Sequence, residues 1–146
     1  MSEHVLLSLR AEDNQGQAVR YALALCRDLG ARLTVLAVAE EDTANTHWLC
    51  VQEKLREEAQ ARMLPALEGA LDMARSEGVE CLVESRVGDF YDEVFAFAGH
   101  CRPHLVIVAC PPPRKQPLRW CQERTCELRG RLHCPVVSLV PAQIEA

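Results

Sequence analysis

The chain has 146 residues, of which 49% are hydrophobic and 25% are charged; these values are typical of one globular domain rather than of a disordered or fibrous protein. No apolar run reaches the roughly 18–20 residues that a membrane-spanning helix needs, and Met1–His4 lacks the basic-then-apolar order of a signal peptide. We therefore expect a single cytosolic domain over residues 1–146 that makes no contact with a membrane.

Apolar runs alternate with helical patterns through the first half of the chain. His4–Leu9 predicts a short strand, and Asn14 is suited to cap the helix that follows it. Arg32–Ala39 predicts a second strand, and a long helical pattern then runs from about Trp48 to Glu77. Pro65 lies inside this pattern and has no backbone N–H to donate, so we expect a kink or a break in the helix near it.

The second half continues the same alternation. Val79–Val87 predicts a third strand, and Asp89 is suited to start a helix. Leu105–Cys110 is continuously apolar and rich in β-branched residues, as in a strand buried on both faces. A last helix is expected from about Pro117 to Arg131, before a last strand over Cys134–Val140. The alternation predicts an α/β fold, a doubly wound five-stranded parallel sheet with helices on both faces.

The order of these elements resembles the universal stress protein family over essentially the whole chain. The local matches are Gly30–Leu36 after the first helix, Val87–Asp89 before the third helix, and His133–Val137 at the last strand. Each match is short, but their order and spacing together are fairly specific. The resemblance implies the adenine nucleotide alpha hydrolase-like fold of that family.

Many members of this family bind ATP through a glycine signature, G-x-x-G followed after nine residues by G-S/T, whose amides approach phosphate. Counting back from the last strand, the three glycine positions fall on Ala109, Pro112 and Gln122, and the Ser/Thr position falls on Glu123. Pro112 has no N–H to donate, and Glu123 adds negative charge. The family's adenine-side Asp falls on Arg10. We therefore expect a member that does not bind ATP.

Basic residues are concentrated after the fourth predicted strand. Residues 102–131 hold 7 basic and 2 acidic residues, whereas residues 1–101 hold 9 and 18, within a net charge of −5. One interpretation is a sensor of another small anion, or of a nucleotide bound in a non-standard way, through Arg10, Arg114 and Arg124. The alternative is a solvated loop and helix face. The acidic overall charge and the lack of a basic stripe with interleaved aromatic residues argue against nucleic acid.

The eight cysteines form no C-x-x-C motif, and most of them lie in apolar runs, where a thiol behaves as a buried hydrophobic group. His100, Cys101 and His104 could suggest a metal site, but a proline between them interrupts the helix, and we expect no metal and no other cofactor. A redox-responsive protein is a further alternative. It would use Cys110, whose thiol pKa the neighbouring basic loop could depress, or Cys121.

No catalytic constellation is recognisable, because the serines lack a neighbouring base, and we expect no enzyme. The leading hypothesis is a universal stress protein-like regulatory or interaction domain that acts by binding a partner, such as another protein, rather than by catalysis. The last strand carries Val136, Val137, Leu139 and Val140, with no charge before Glu145. At a sheet edge it would leave backbone groups unpaired. The resemblance implies pairing of last strands edge to edge, so we expect a homodimer.

Overall fold

The computed structural model describes residues 3–11, 16–40, 49–110 and 118–140, with the backbone alone for 49–53, 55, 56 and 59. Strands and helices alternate strictly through these residues. Their bounds, in chain order, are β1 (His4–Arg10), α1 (Gly16–Leu29), β2 (Arg32–Ala39), α2 (Leu49–Glu77), β3 (Cys81–Val87), α3 (Phe90–Cys101), β4 (Leu105–Ala109), α4 (Leu118–Arg131) and β5 (Val136–Leu139).

The strands form one five-stranded sheet in the order β3-β2-β1-β4-β5, and every neighbouring pair is parallel. In the register of β1, Val5 lies opposite Leu33 on one side and Leu105 on the other. The chain order therefore reverses between β1 and β4, and ligands of open α/β sheets bind beyond the carboxyl ends of the strands at such a point. The predicted doubly wound parallel sheet is confirmed.

The two faces of the sheet are covered by different helices. Val5, Leu7 and Leu9 pack in one buried cluster with residues of α1 and α2. Leu6 belongs to a second cluster with residues of α3 and with Leu128 of α4. Successive side chains of a strand point to opposite faces, so β1 is buried on both sides, as its largely apolar sequence indicates.

The helix α2 continues through Pro65, so the predicted break is wrong. The side chains that hold α2 against the sheet include Met63 and Leu67, which are 1% and 6% exposed, whereas Pro65 and Ala61 lie on the exposed side. The carbonyl of Ala61 loses its helical partner at this point. Solvent can hydrate a carbonyl on that side, and the buried contacts keep the helix continuous.

Two strand boundaries also differ from the prediction. The third strand begins at Cys81 rather than Val79, because the Val79 N–H bonds to the Ala74 carbonyl and closes the end of α2. The last strand, β5, is limited to Val136–Leu139. The predicted start of α3 is confirmed, since the Asp89 side chain accepts a hydrogen bond from the Asp92 N–H at 3.0 Å.

Candidate functional site

A buried arginine closes the central strand at the carboxyl edge of the sheet. Arg10 is the last residue of β1 and is only 4% exposed. Its Nε donates a hydrogen bond to Oε1 of Glu40 at 2.6 Å, and the Glu40 side chain is 42% exposed. Glu40 directly follows β2, which pairs with β1, so the parallel strands bring the two side chains together.

Two aromatic rings at the start of α3 pack against this guanidinium. The Arg10 Cζ lies 4.2 Å from the ring centroid of Phe90 and 5.5 Å from that of Tyr91. The Tyr91 ring in turn meets the Trp120 ring of α4 edge to face, with centroids 5.5 Å apart. Cation–π contacts of this kind favour a charged guanidinium more strongly where water is excluded.

Two polar atoms of this cluster have no hydrogen-bond partner among the described residues, Nη1 of Arg10 and the hydroxyl of Tyr91. Burial is the largest single influence on Arg10 and lowers its pKa, but the interactions with Glu40 and with Tyr91 together outweigh burial and raise that pKa above its ordinary value. Burial also raises the pKa of the Tyr91 hydroxyl. The cluster therefore holds a permanent cation next to a neutral phenol.

Cys110, which follows β4, is 1% exposed, and Cys121 of α4 is fully buried. Burial, followed by the neighbouring Cys121, raises the pKa of the Cys110 thiol to about 11. The depressed Cys110 pKa considered as an alternative is therefore not supported, because burial dominates over the positive charge nearby. A thiol with this pKa is protonated at neutral pH and is a poor nucleophile.

Two of the three residues at the predicted glycine positions, and the residue at the Ser/Thr position, lie in regular structure. Ala109 ends β4 and is 1% exposed. Gln122 and Glu123 lie inside α4, which begins at Leu118, so their N–H groups bond to carbonyls one turn earlier in the helix. Pro112, at the remaining glycine position, lies outside the described residues.

Two of the predicted anion ligands, Arg10 and Arg124, contact different rings of one aromatic pair. Arg10 lies at one end of the Tyr91–Trp120 pair, whereas the Arg124 Cζ lies 5.5 Å from the Trp120 ring at the other end. Arg124 also pairs with Glu127 through an Nη1–Oε2 distance of 3.0 Å. Arg114 lies outside the described residues.

A polar groove of about 260 Å³ lies beside Arg124, between the start of α3 and α4. Carboxylates line it together with arginines: Asp89, Asp92, Glu127, Arg124 and Arg131. The mixed charge does not concentrate anions as a set of arginines alone would.

The edge of the sheet at β5 carries the residues predicted for dimerisation. The position of β5 at the end of the strand order confirms that the last strand is an edge. Val137 is 40% exposed, whereas Val136 is 1% exposed and packs inside the domain. Leu139 and Val140 are half-buried. Among these four residues, Val137 therefore offers the largest exposed fraction to a second molecule.

Sequence reasoning missed three contacts, which lie in the cluster around Arg10 and at the β5 edge. These are the ion pair to Glu40, the packing of Tyr91 on Trp120, and a fork of hydrogen bonds from Arg129 Nε and Nη2 to the Val136 carbonyl at 3.1 and 2.9 Å. A polar residue directly after β2 was a usable signal for Glu40, since side chains at the carboxyl ends of parallel strands meet. No local signal pointed to Arg129.

Within the described ranges, no three His, Cys, Asp or Glu side chains cluster as metal ligands. None of the helices in the same ranges is both long enough and apolar enough to cross a membrane. The described cysteines are free thiols.

The sequence matches no protein-family model, and no curated protein matches it either. Solved structures of universal stress proteins do match. The protein UspA from Lactobacillus plantarum has a TM-score of 0.70 at 16% identity, covering 94% of this chain and 97% of its own. An Arabidopsis thaliana family protein with AMP bound has a TM-score of 0.64 at 17% identity, covering 98% and 94%. An Archaeoglobus fulgidus protein in complex with dAMP has a TM-score of 0.61 at 15% identity, covering 94% and 97%.

Proposed function

We propose that this chain, which has the universal stress protein fold, is a regulatory or interaction domain that does not bind ATP. It acts as a cytosolic homodimer and through contacts with a partner rather than by catalysis. The free thiols fit the reducing cytosol. Among the described serines, Ser8 donates its hydroxyl to the Ile107 carbonyl inside the sheet, which supports a structural role for it.

The observation that carries the proposal is the position of Gln122 and Glu123 inside α4. In the family signature, glycine and Ser/Thr open a helix whose free N–H groups face phosphate. Here α4 has already begun at Leu118, so the N–H groups of both residues are used within the helix. Glu123 also adds a negative charge, and its Oε1 lies 3.4 Å from the Arg119 Nε on the same exposed helix face.

The end of β1 supports the same conclusion. Arg10 stands where the resemblance places the adenine-side Asp, and it reverses the charge of that position. Its guanidinium is held by Glu40 and by the Phe90 and Tyr91 rings. An acceptor that could bind the adenine amino group is thereby replaced with a buried donor, whose Nε is already bonded to Glu40.

Calorimetric titration with Mg-ATP tests this proposal. We expect no binding, or binding weaker than roughly 1 mM, which corresponds to about −4 kcal/mol. A matched variant, Glu123→Ser, restores the family's residue type and removes the charge while α4 keeps its N–H groups engaged, so it should also fail to bind. A dissociation constant at or below roughly 10 μM, about −7 kcal/mol, for the unmodified protein would contradict the assignment.

Adenine nucleotide binding in a non-standard way is the second candidate, because similar structures carry AMP or dAMP. The anion interpretation through Arg10, Arg114 and Arg124 belongs with it. Titrations with AMP and with inorganic tripolyphosphate distinguish nucleotide binding from the binding of a small anion. Binding of AMP alone would indicate a site that recognises adenine, whereas equal binding of both would indicate recognition of phosphate by charge. The redox alternative gains no support from the raised Cys110 pKa.

A further inference from the structure

The outer edge of β5 presents backbone groups of alternate residues. The Val106 N–H donates to the Pro135 carbonyl, and the Cys110 N–H donates to the Leu139 carbonyl. In a parallel pair the N–H and C=O of one residue point to the same side, and successive residues alternate. The inward groups are therefore those of Pro135, Val137 and Leu139. The N–H and C=O of Val136 and Ser138 point away from the sheet.

One of these outward carbonyls is already occupied. Arg129, in the last turn of α4, donates from Nε and Nη2 to the Val136 carbonyl at 3.1 and 2.9 Å. Two guanidinium donors converge on a single oxygen, so the side chain covers the outward face of that carbonyl. No hydrogen bond from the described residues reaches the outward backbone groups of Ser138. Within the described part of the chain, the edge is therefore blocked at Val136, and no hydrogen-bond partner reaches its backbone at Ser138.

We propose that Arg129 is an intramolecular cap on this sheet edge, and that it competes with the β5 strand of a second copy of the chain. The inference rests on the proposed homodimerisation and adds a control to the same edge. Charged side chains that shield edge strands are a known means of limiting association. Here the shield is a specific pair of hydrogen bonds, which must open before the edge can pair along its full length.

Two-fold symmetry doubles the effect of this cap. In an antiparallel pairing centred on Ser138, the Val136 carbonyl of each copy would accept from the Val140 N–H of the other. Both carbonyls carry an Arg129 side chain, so both caps must be displaced. Pairing restricted to Ser138 and Val140 avoids the caps but forms fewer hydrogen bonds. The cap therefore weakens the dimer and disfavours the registers that use Val136.

The test is the dimer dissociation constant of Arg129→Ala, measured by sedimentation. We expect it to fall by about tenfold, because each of two freed carbonyls can accept one more backbone hydrogen bond. Arg129→Gln is neutral but keeps an N–H donor, so its dimer dissociation constant should lie closer to that of the unmodified protein. Arg119→Ala removes the same charge from the same helix at a side chain that is 92% exposed, and it should change nothing.

The outcomes separate the cap from the dimer itself. A dimer that Arg129→Ala leaves unchanged or weakens would overturn the cap while leaving homodimerisation intact. Equal tightening by the Ala and Gln variants would assign the effect to charge and would also overturn the cap. If the unmodified protein is a monomer and Arg129→Ala dimerises, the cap is supported and the native dimer is not. If both stay monomeric at ~100 μM, both proposals fail.

Discussion

Removing Glu40 should destabilise the fold more than removing Arg10, although the two side chains form one ion pair. The guanidinium is 5% exposed and the carboxylate 42%. Glu40→Ala leaves a buried cation without its counter-ion, and breaking a buried pair in this way costs about 3–5 kcal/mol. Since water reaches the Glu40 side of the pair, we expect the lower end, about 3 kcal/mol.

Arg10→Met leaves only Glu40 unpaired, and solvent can hydrate it. The substitution loses a charge-assisted hydrogen bond worth about 1.5–3 kcal/mol. It also removes Nη1, which has no hydrogen-bond partner among the described residues, and relief of an unsatisfied buried donor returns about 1–3 kcal/mol. The net change should stay within about 1 kcal/mol. The double variant should match Arg10→Met alone, because no buried charge remains for Glu40 to neutralise.

Urea unfolding followed by circular dichroism measures these free energies, and the melting temperature of Glu40→Ala should fall by about 6–12 °C. The matched control is the pair of Arg86 and Glu84, which lie 3.4 Å apart and are 44% and 41% exposed. Breaking that pair from either side should cost less than about 1 kcal/mol. A cost for Arg10→Met equal to or above that of Glu40→Ala would refute the reasoning, since the aromatic contacts would then be the main support of the cluster.

Two further predictions concern pH and assembly. Burial, helped by Arg32, lowers the pKa of His4 from its usual 6.5, so the unfolded chain binds the proton first as the pH falls. The free energy of unfolding should decrease below about pH 6.5, by at most about 1.4 kcal/mol per pH unit, until the pKa of His4 in the folded protein is passed. Urea unfolding at several pH values measures this slope, and a slope that His4→Gln leaves unchanged would contradict the prediction. Val137→Lys should convert the dimer to a monomer in analytical ultracentrifugation, whereas Leu82→Lys, on a 60% exposed side chain of the opposite edge strand, should not. An unmodified protein that is monomeric at ~100 μM would rule out edge pairing.

The fold could be predicted because its signals are local. The Arg32–Ala39 strand has the same bounds in the structure as in the sequence pattern, since a largely apolar run describes a strand buried on both faces. Pro65 shows the limit of such rules. A residue that disfavours a helix is tolerated when its ring faces solvent and its neighbours are buried.

The candidate site was less accessible to prediction because its contacts join distant parts of the chain. Arg10 and Glu40 are 30 residues apart, and only the pairing of β1 with β2 makes them neighbours. The same limit applies to Cys110. Its nearest charges in sequence are basic, but the pKa of its thiol is set by burial, which the sequence order does not reveal.

The central position of β1 has a consequence for how the chain folds during synthesis. The first strand pairs on one side with β2, which follows soon after, and on the other with β4; the His4 N–H bonds to a side chain 100 residues later. At ribosomal rates of roughly 5–20 residues per second, that edge of β1 waits on the order of 5–20 s for its partner. Nascent chains that stall before β4 emerges would expose the apolar edge Val5–Leu7, and an unpaired apolar strand edge favours aggregation.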